Sequence, residues 1–127
     1  MRSFCDSEGR RWPIKVTVDV IEKVREIGVD LGDVTGTTIR TLTNDDVLLV
    51  RSLWIICEAA ANTAGVSATQ FGEALVGDVI DDAFDALRGS IEDFFPRRKR
   101  EYWLKMIEAD RDTQTEALRI GLESLND

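Results

Sequence analysis

The first eighteen residues alternate between apolar and polar positions on either side of a short polar turn. Phe4 precedes the run Asp6-Ser7-Glu8-Gly9-Arg10, after which every second residue is apolar: Trp12, Ile14, Val16 and Val18. This alternation predicts two strands, and the Asp, Ser and Gly between them predict a tight turn. Pro13 has no amide hydrogen, so its strand is expected at a sheet edge. We therefore predict a β-hairpin over residues 1–18.

Residues 19–42 are predicted to form a short helix and a loop. The helix has Val20, Ile21, Val24 and Ile27 on one side, with Thr17 or Asp19 as its cap. Gly28 is expected to end it. Residues 29–38 are rich in Gly, Asp and Thr, which is typical of a loop, and Leu31 is expected to anchor that loop in the core. Residues 39–42 either extend the loop or form one turn.

Residues 44–127 have the pattern of several helices. Asn44-Asp45-Asp46 indicates a helix start, and the helix that follows is apolar nearly all round, which predicts a position at the centre of the core. Ser67 and Gln70 have the spacing of a capping box. Asp78 begins a further helix that Pro96 stops, and a last helix is predicted over residues 97–124.

These elements define the expected fold class. It is mainly α (α+β), a helical bundle of about four to five helices with a small N-terminal β-hairpin. With 127 residues the chain has the usual size of one domain, so we predict a single domain over residues 1–127.

Composition restricts the class of protein. The chain is 43% hydrophobic and 31% charged, as expected of a folded domain. The longest apolar stretch, from Val47 to Ala61, is interrupted by Arg51 and Glu58, so no membrane-spanning helix is predicted. The opening residues lack the apolar segment of a signal peptide, which predicts a cytoplasmic protein. Cys5 and Cys57 are then expected to be reduced.

The residue inventory argues against catalysis. The chain has no histidine, the commonest general base and metal ligand. Cys5 and Cys57 have neither a histidine partner nor the spacing of a zinc site. We therefore expect no enzyme, no catalytic residues and no cofactor.

Acidic residues, namely Asp78, Asp81, Asp82 and Asp85 with Glu92 and Asp93 further on, are the candidates for a metal site. Asp78, Asp81, Asp82 and Asp85 share one helix face at a spacing that magnesium could use. Acids in a first helical turn also complement the helix dipole without any metal. We interpret these residues as a solvated face and predict no metal site.

A basic cluster, Arg97-Arg98-Lys99-Arg100, lies at a helix start, where cations oppose the helix dipole. We interpret it as neutralised by Glu92, Asp93 and Glu101. The alternatives are a contact with a protein partner and, less favoured by the net charge of −8, a nucleic-acid contact that Arg88, Tyr102 and Trp103 assist.

The last predicted helix has an apolar stripe that suits pairing with another helix. Its exposed anchors are expected to be Trp103, Met106 and Ile107, or the distal residues Leu118, Leu122 and Leu125. Together with the basic cluster, the candidate partner-binding residues are Arg97, Arg98, Arg100, Trp103, Met106, Ile107, Leu118, Leu122 and Leu125.

The order of these elements resembles a known family. The hairpin has the pattern Phe-x-Asp-x-x-Gly-Arg-x-Trp (Phe4, Asp6, Gly9, Arg10, Trp12), and the first helix ends near Gly-Val-Asp-Leu, residues 28–31. Followed by a set of helices, this is similar to the tail assembly chaperones of long-tailed bacteriophages and prophages, which are encoded next to the tape measure protein. The resemblance implies a mainly α fold, no enzymatic activity, and binding of the hydrophobic tape measure protein in the bacterial host cytoplasm. It leaves open whether the chain forms a homo-oligomer.

The leading hypothesis is therefore a phage tail assembly chaperone-like protein that binds a hydrophobic helical partner. One alternative is a structural virion component, such as a neck or tail-completion protein. A second alternative is a nucleic-acid-binding regulator that uses residues 97–100, whose binding would weaken steeply with added salt.

Overall fold

The computed structural model describes residues 2–109. In this part of the chain a two-stranded hairpin precedes six helices, which confirms the mainly α fold class. In chain order the elements are β1 (Arg2–Cys5), β2 (Arg11–Ile14), α1 (Val18–Arg25), α2 (Thr37–Asn44), α3 (Asp46–Ala64), α4 (Ala68–Glu73), α5 (Asp78–Phe94) and α6 (97–109).

The predicted hairpin is confirmed. β1 and β2 pair antiparallel, with Phe4 opposite Trp12, and both side chains are buried. Gly9 has a φ of +79°, a left-handed conformation that glycine adopts without strain. The extension of the alternation to Val18 is wrong, because Val18 begins α1 and is 62% exposed.

The hairpin lies against α5. The amide of Val16, just after β2, donates to the Ser90 hydroxyl at 2.8 Å in a buried position. At the same end of the hairpin, where Arg2 pairs with Ile14, the Arg2 guanidinium donates to Asp93 at 3.0 Å. Gly89 leaves room for Arg2, since a β-carbon at Gly89 would lie 2.8 Å from Arg2 Nε. A lone hairpin is marginal in water, so α5 supplies the apolar support it needs.

The segment after α1 contains one more helix than predicted. Thr17 caps α1 by accepting from the Val20 amide, and Leu31 is 1% exposed, as expected of a loop anchor. Residues 39–42, however, neither extend the loop nor form a single turn, since they lie inside the eight-residue helix α2. Burial of Ile39 and Leu42 stabilises this helix despite its β-branched threonines.

α3 is central but buried on one side only. It begins after the cap Asp45, ends at Gly65, and contacts β2 and helices α1, α2, α4 and α5. The prediction of a central helix is therefore confirmed, whereas burial all round is not. The buried side contains Leu49, Ser52, Leu53, Cys57 and Ala61.

By length and composition α3 is also the one helix in residues 2–109 that could cross a membrane, with a mean hydropathy of 1.4. The core helix of a folded domain commonly has the same properties. The expectation that the chain has no membrane-spanning helix therefore stays a prediction.

The predicted start of α4 and both predicted ends of α5 are confirmed. Ser67 and Gln70 form both hydrogen bonds of a capping box at the start of α4. Gly77 precedes α5, and Pro96 follows Phe95, where α5 has ended. Buried side chains from the hairpin and from each of these helices form one core cluster. The contribution of α6 to this cluster is Trp103.

Candidate functional site

The exposed side of α3 presents apolar side chains interrupted by two charged ones. We call it the α3 outer face and define it by Val47, Val50, Arg51, Trp54, Ile55 and Glu58. These positions recur at intervals of three and four residues, so they lie along one side of the helix. Val47 is 67% exposed, and Val50, Trp54 and Ile55 are half-buried. An apolar stripe at this spacing is typical of a helix that packs against another helix.

Neighbouring elements turn this face into a shallow hollow of about 330 Å³. Ile27, after α1, lies on one side, and Ala68 and Phe71 of α4 lie on another. Its complete lining is Ile27, Val50, Arg51, Trp54, Ile55, Ala68 and Phe71. A hollow with one charged group in an apolar lining suits the side chains of an amphipathic helix better than a polar metabolite.

Aromatic contacts hold one wall of the hollow in place. The buried ring of Phe71 lies 5.5 Å from the Trp54 ring and 5.2 Å, edge to face, from the Trp12 ring. Trp12 in turn donates from Nε1 to the Asp6 carboxylate at 2.9 Å. The hairpin thus positions Phe71, and Phe71 positions Trp54, so this part of the surface is preformed.

The Asp6 carboxylate is the most heavily hydrogen-bonded side chain of the hairpin. It accepts from the backbone amides of Glu8 and Arg10 and from the side chains of Arg10 and Trp12, at 2.8–3.0 Å. Burial pushes the pKa of Asp6 upward, but these hydrogen bonds favour the anion more strongly, and the net pKa lies below its ordinary value. These contacts explain the Asp and Gly-Arg positions of the hairpin pattern in structural terms.

Two opposite charges lie on the α3 outer face. Neither Arg51 nor Glu58 forms a hydrogen bond or an ion pair with another residue in the range 2–109. Lys23 lies close enough to Glu58 for the carboxylate to raise its pKa, but the hydrogen bond and charge of Asp19, 3.0 Å away, are the larger causes.

The structure corrects the expected exposed anchors of the last helix. Trp103 is 1% exposed and its ring lies 5.7 Å from that of Phe95, so it belongs to the core and is not exposed for a partner. Met106 and Ile107 are half-buried beside Gly36, whose β-position would lie 3.5 Å from Met106 Cβ. Leu118, Leu122 and Leu125 lie outside the described residues.

The basic cluster is partly engaged. Arg97 Nε contacts Glu101 at 3.4 Å, as predicted. Arg100 instead donates to the backbone carbonyls of Glu92 and Phe95, both at 3.0 Å, and so satisfies the C-terminal end of α5. The Glu92 carboxylate is not its acceptor.

Asp93, which was also expected to neutralise the cluster, pairs with Arg2. The hydrogen bond from Arg2 lowers the pKa of Asp93, with smaller contributions from the charges of Arg2 and Arg100. Arg98 and Lys99 are exposed beside Tyr102 and Val34. Of the four cations, they are the two without a hydrogen bond or ion pair to the described residues.

The acidic face of α5 does not form a metal cage. Asp78, Asp81, Asp82 and Asp85 are all exposed, and no group of three or more acidic or cysteine side chains within residues 2–109 could hold a metal ion. Cys5 is exposed and Cys57 is buried, both as free thiols. Burial raises the pKa of Cys57 to about 12, so its reactive thiolate is scarce near neutral pH.

The sequence contained the signal for the α3 outer face, because α3 is apolar nearly all round. What it did not contain was which side of the helix other elements cover. Comparison with protein-family models, with curated proteins and with solved structures found no match to this chain.

Proposed function

We propose that this chain is a phage tail assembly chaperone-like protein that binds a hydrophobic helical partner of the tape measure class in the bacterial host cytoplasm. The observation that carries the proposal is the α3 outer face, an apolar helical stripe left half-exposed in an otherwise packed fold. The resemblance of the hairpin and helix order to that family supplies the identity of the partner.

The partner surface differs from the one expected on the last helix. Trp103 is buried, and Arg100 binds carbonyls of α5, so neither is free to bind a partner. Val47, Trp54 and Ile55 take their place in the proposal, since a helix laid along α3 would cover all three.

The test is binding of a synthetic amphipathic helix about 20 residues long, which matches α3 at about 30 Å. Fluorescence anisotropy of the labelled peptide is measured with the wild-type chain and with Val47→Glu and Ile55→Glu. A carboxylate on the apolar contact loses its hydration on binding, so each variant is expected to bind at least about tenfold more weakly. Val76→Glu is the matched control, because Val76 is a similarly exposed valine, 54% accessible, that does not belong to the face.

Equal affinity for all three variants would remove the α3 outer face from the proposal, and an absence of binding by the wild-type chain would remove the proposal itself. The identity of the partner is tested separately, by co-expression with a tape measure protein of a long-tailed phage. A chaperone is expected to co-purify with that protein.

A structural virion component is distinguished by its location. An assembly chaperone is absent from purified particles, whereas a neck or tail-completion protein remains in them. Detection of the chain by mass spectrometry at a fixed ratio to the tail proteins would therefore favour the virion component over the chaperone.

A further inference from the structure

We propose that in the absence of its partner a second copy of this chain covers the α3 outer face, with the two α3 helices antiparallel about a two-fold axis between Trp54 and Ile55. The observation behind this inference is the placement of charge on the face. Arg51 and Glu58 are seven residues apart, and the centre between them falls at Trp54 and Ile55.

A two-fold axis at that centre makes the face complementary to itself. In an interface between identical copies, each residue meets the residue equally far from the axis on the other side. Arg51 of one copy then lies opposite Glu58 of the other, twice over. Trp54 and Ile55 lie next to the axis on opposite flanks of the face, so each lies beside its own counterpart in the other copy.

Arg51 and Glu58 occupy the middle of the exposed side of α3. Successive residues of a helix turn by about 100°, so positions seven apart differ in direction by only about 20°. The guanidinium and the carboxylate therefore project from nearly the same line, with Trp54 and Ile55 flanking them. Along the line of contact between the two helices, the pairing therefore has oppositely charged groups, and apolar side chains lie on both sides of that line.

This arrangement lowers the free-energy cost of placing a charged group in an apolar contact. A charge that is covered without a partner is strongly unfavourable, whereas a hydrogen-bonded pair offsets much of that cost and fixes the register. Neither Arg51 nor Glu58 forms a hydrogen bond or a salt bridge within residues 2–109, and Lys23, on which the Glu58 charge acts, is paired with Asp19. A second copy provides partners for Arg51 and Glu58 at once, whereas an unrelated helix has no reason to carry charges at this spacing.

The inference is separate from the identity of the partner proposed above. It states what covers the α3 outer face before a partner binds, and it makes the second copy and the partner helix compete for one surface. A contact of one helix per copy is small for a protein interface, so the dimer is expected to dissociate at low micromolar concentration.

The experiment is sedimentation velocity of the full chain at about 1–100 µM, with four proteins: wild type, Arg51→Glu, Glu58→Arg and the double variant. The wild-type chain is expected to change from a monomer of 14.3 kDa to twice that mass as concentration rises. Each single variant places like charges opposite one another twice, so dimerisation is expected to weaken at least about tenfold. The double variant restores opposite charges and is expected to dimerise as the wild type does.

An equimolar mixture of the two single variants gives the sharpest result. In a mixed dimer, the two carboxylates of one chain face the two guanidinium groups of the other, so the mixture is expected to dimerise more strongly than either component alone. Lys99→Glu is the matched control, because it makes the same charge change at an exposed site on α6 and is expected to dimerise normally. Circular dichroism checks that each variant is folded, as the exposure of all three positions predicts.

Three outcomes overturn the inference: a wild-type chain that is monomeric at about 100 µM, a dimer that tolerates both single charge reversals, or a mixture that stays monomeric. These outcomes differ from failure of the proposed function. If the wild-type chain is monomeric yet binds the amphipathic peptide through Val47 and Ile55, only the self-association is wrong.

Discussion

At the residue scale, Asp6 is the side chain on which the hairpin most depends. Its carboxylate is buried and accepts four hydrogen bonds from the turn and from Trp12. The Phe-x-Asp-x-x-Gly-Arg-x-Trp pattern therefore describes one hydrogen-bonded turn. Such a turn can arise wherever a hairpin needs it, which is why the pattern predicted the local structure well.

Replacing Asp6 with alanine is expected to lower the free energy of unfolding by about 2–4 kcal/mol, because the Trp12 indole N–H and the turn amides lose their acceptor. Urea denaturation followed by circular dichroism measures the change. Ser7→Ala is the neighbouring control, since the Ser7 side chain is exposed, and it is expected to change stability by less than about 0.5 kcal/mol. A small effect of Asp6→Ala would mean that water replaces the carboxylate.

The pH dependence of stability follows from the same group. Because the pKa of Asp6 is lower in the folded chain than its ordinary value of 3.8, its contribution is fully present above that value. It is lost as the pH falls from there through the lower folded pKa. Urea denaturation at a series of pH values below neutrality measures this effect. As the pH is lowered, the free energy of unfolding should fall less steeply for Asp6→Asn than for the wild-type chain.

The two thiols are expected to react very differently. Cys5 is exposed, whereas burial raises the pKa of Cys57 to about 12. Near neutral pH, a colourimetric thiol reagent should modify one cysteine per native chain and two in denaturant. In the native Cys5→Ser variant the rapid modification of Cys5 should be absent. A cysteine that still reacts rapidly in this variant would contradict the burial of Cys57.

At the element scale, the sequence predicted helix ends better than helix surroundings. Their signals act through local hydrogen bonds or backbone sterics, so they were visible in the sequence at Asp45, at Ser67 and Gln70, and at Pro96. α2 was missed because its four threonines disfavour a helix, and only the burial of Ile39 and Leu42 compensates. The prediction that Trp103 is exposed was wrong because an apolar stripe has the same sequence pattern whether it faces the core or a partner.

Arg100 joins α6 to the end of α5, and its removal tests that connection. Arg100→Ala is expected to lower the free energy of unfolding by about 1–2 kcal/mol, because two carbonyls at the C-terminal end of α5 lose their donors. Arg98→Ala removes a similarly placed cation without a bond to the described residues and should stay within about 0.5 kcal/mol of wild type. Thermal unfolding of both variants gives the comparison, and equal values would contradict the capping role.

At the scale of the whole molecule, the bond between Val16 and Ser90 fastens the hairpin to α5. It is buried and joins positions 74 residues apart in sequence. Ser90→Ala leaves the Val16 amide without its acceptor, so a loss of about 1–3 kcal/mol is expected in urea denaturation. Ser7→Ala again serves as the control for the loss of a hydroxyl alone.

The candidate site itself could be predicted from the sequence only in part. The apolar character of α3 and the interrupting charges Arg51 and Glu58 were visible, and both belong to the α3 outer face. Their role depends on where α1 and α4 lie relative to α3, and no local pattern specifies such long-range packing. This surface therefore depends on the fold. Of the expected anchors on the last helix, Trp103 is buried, and Leu118, Leu122 and Leu125 lie outside the described residues.

The docking of the hairpin on α5 also has a consequence for how the chain is synthesised. The ribosome makes Phe4, Trp12 and Ile14 well before Ser90, and at about 5–20 residues per second the delay amounts to roughly 4–15 s. During that interval the apolar side of the nascent hairpin lacks α5, against which it packs in the folded chain. Translation speed across the middle of the gene therefore sets how long this newly made segment remains without that support.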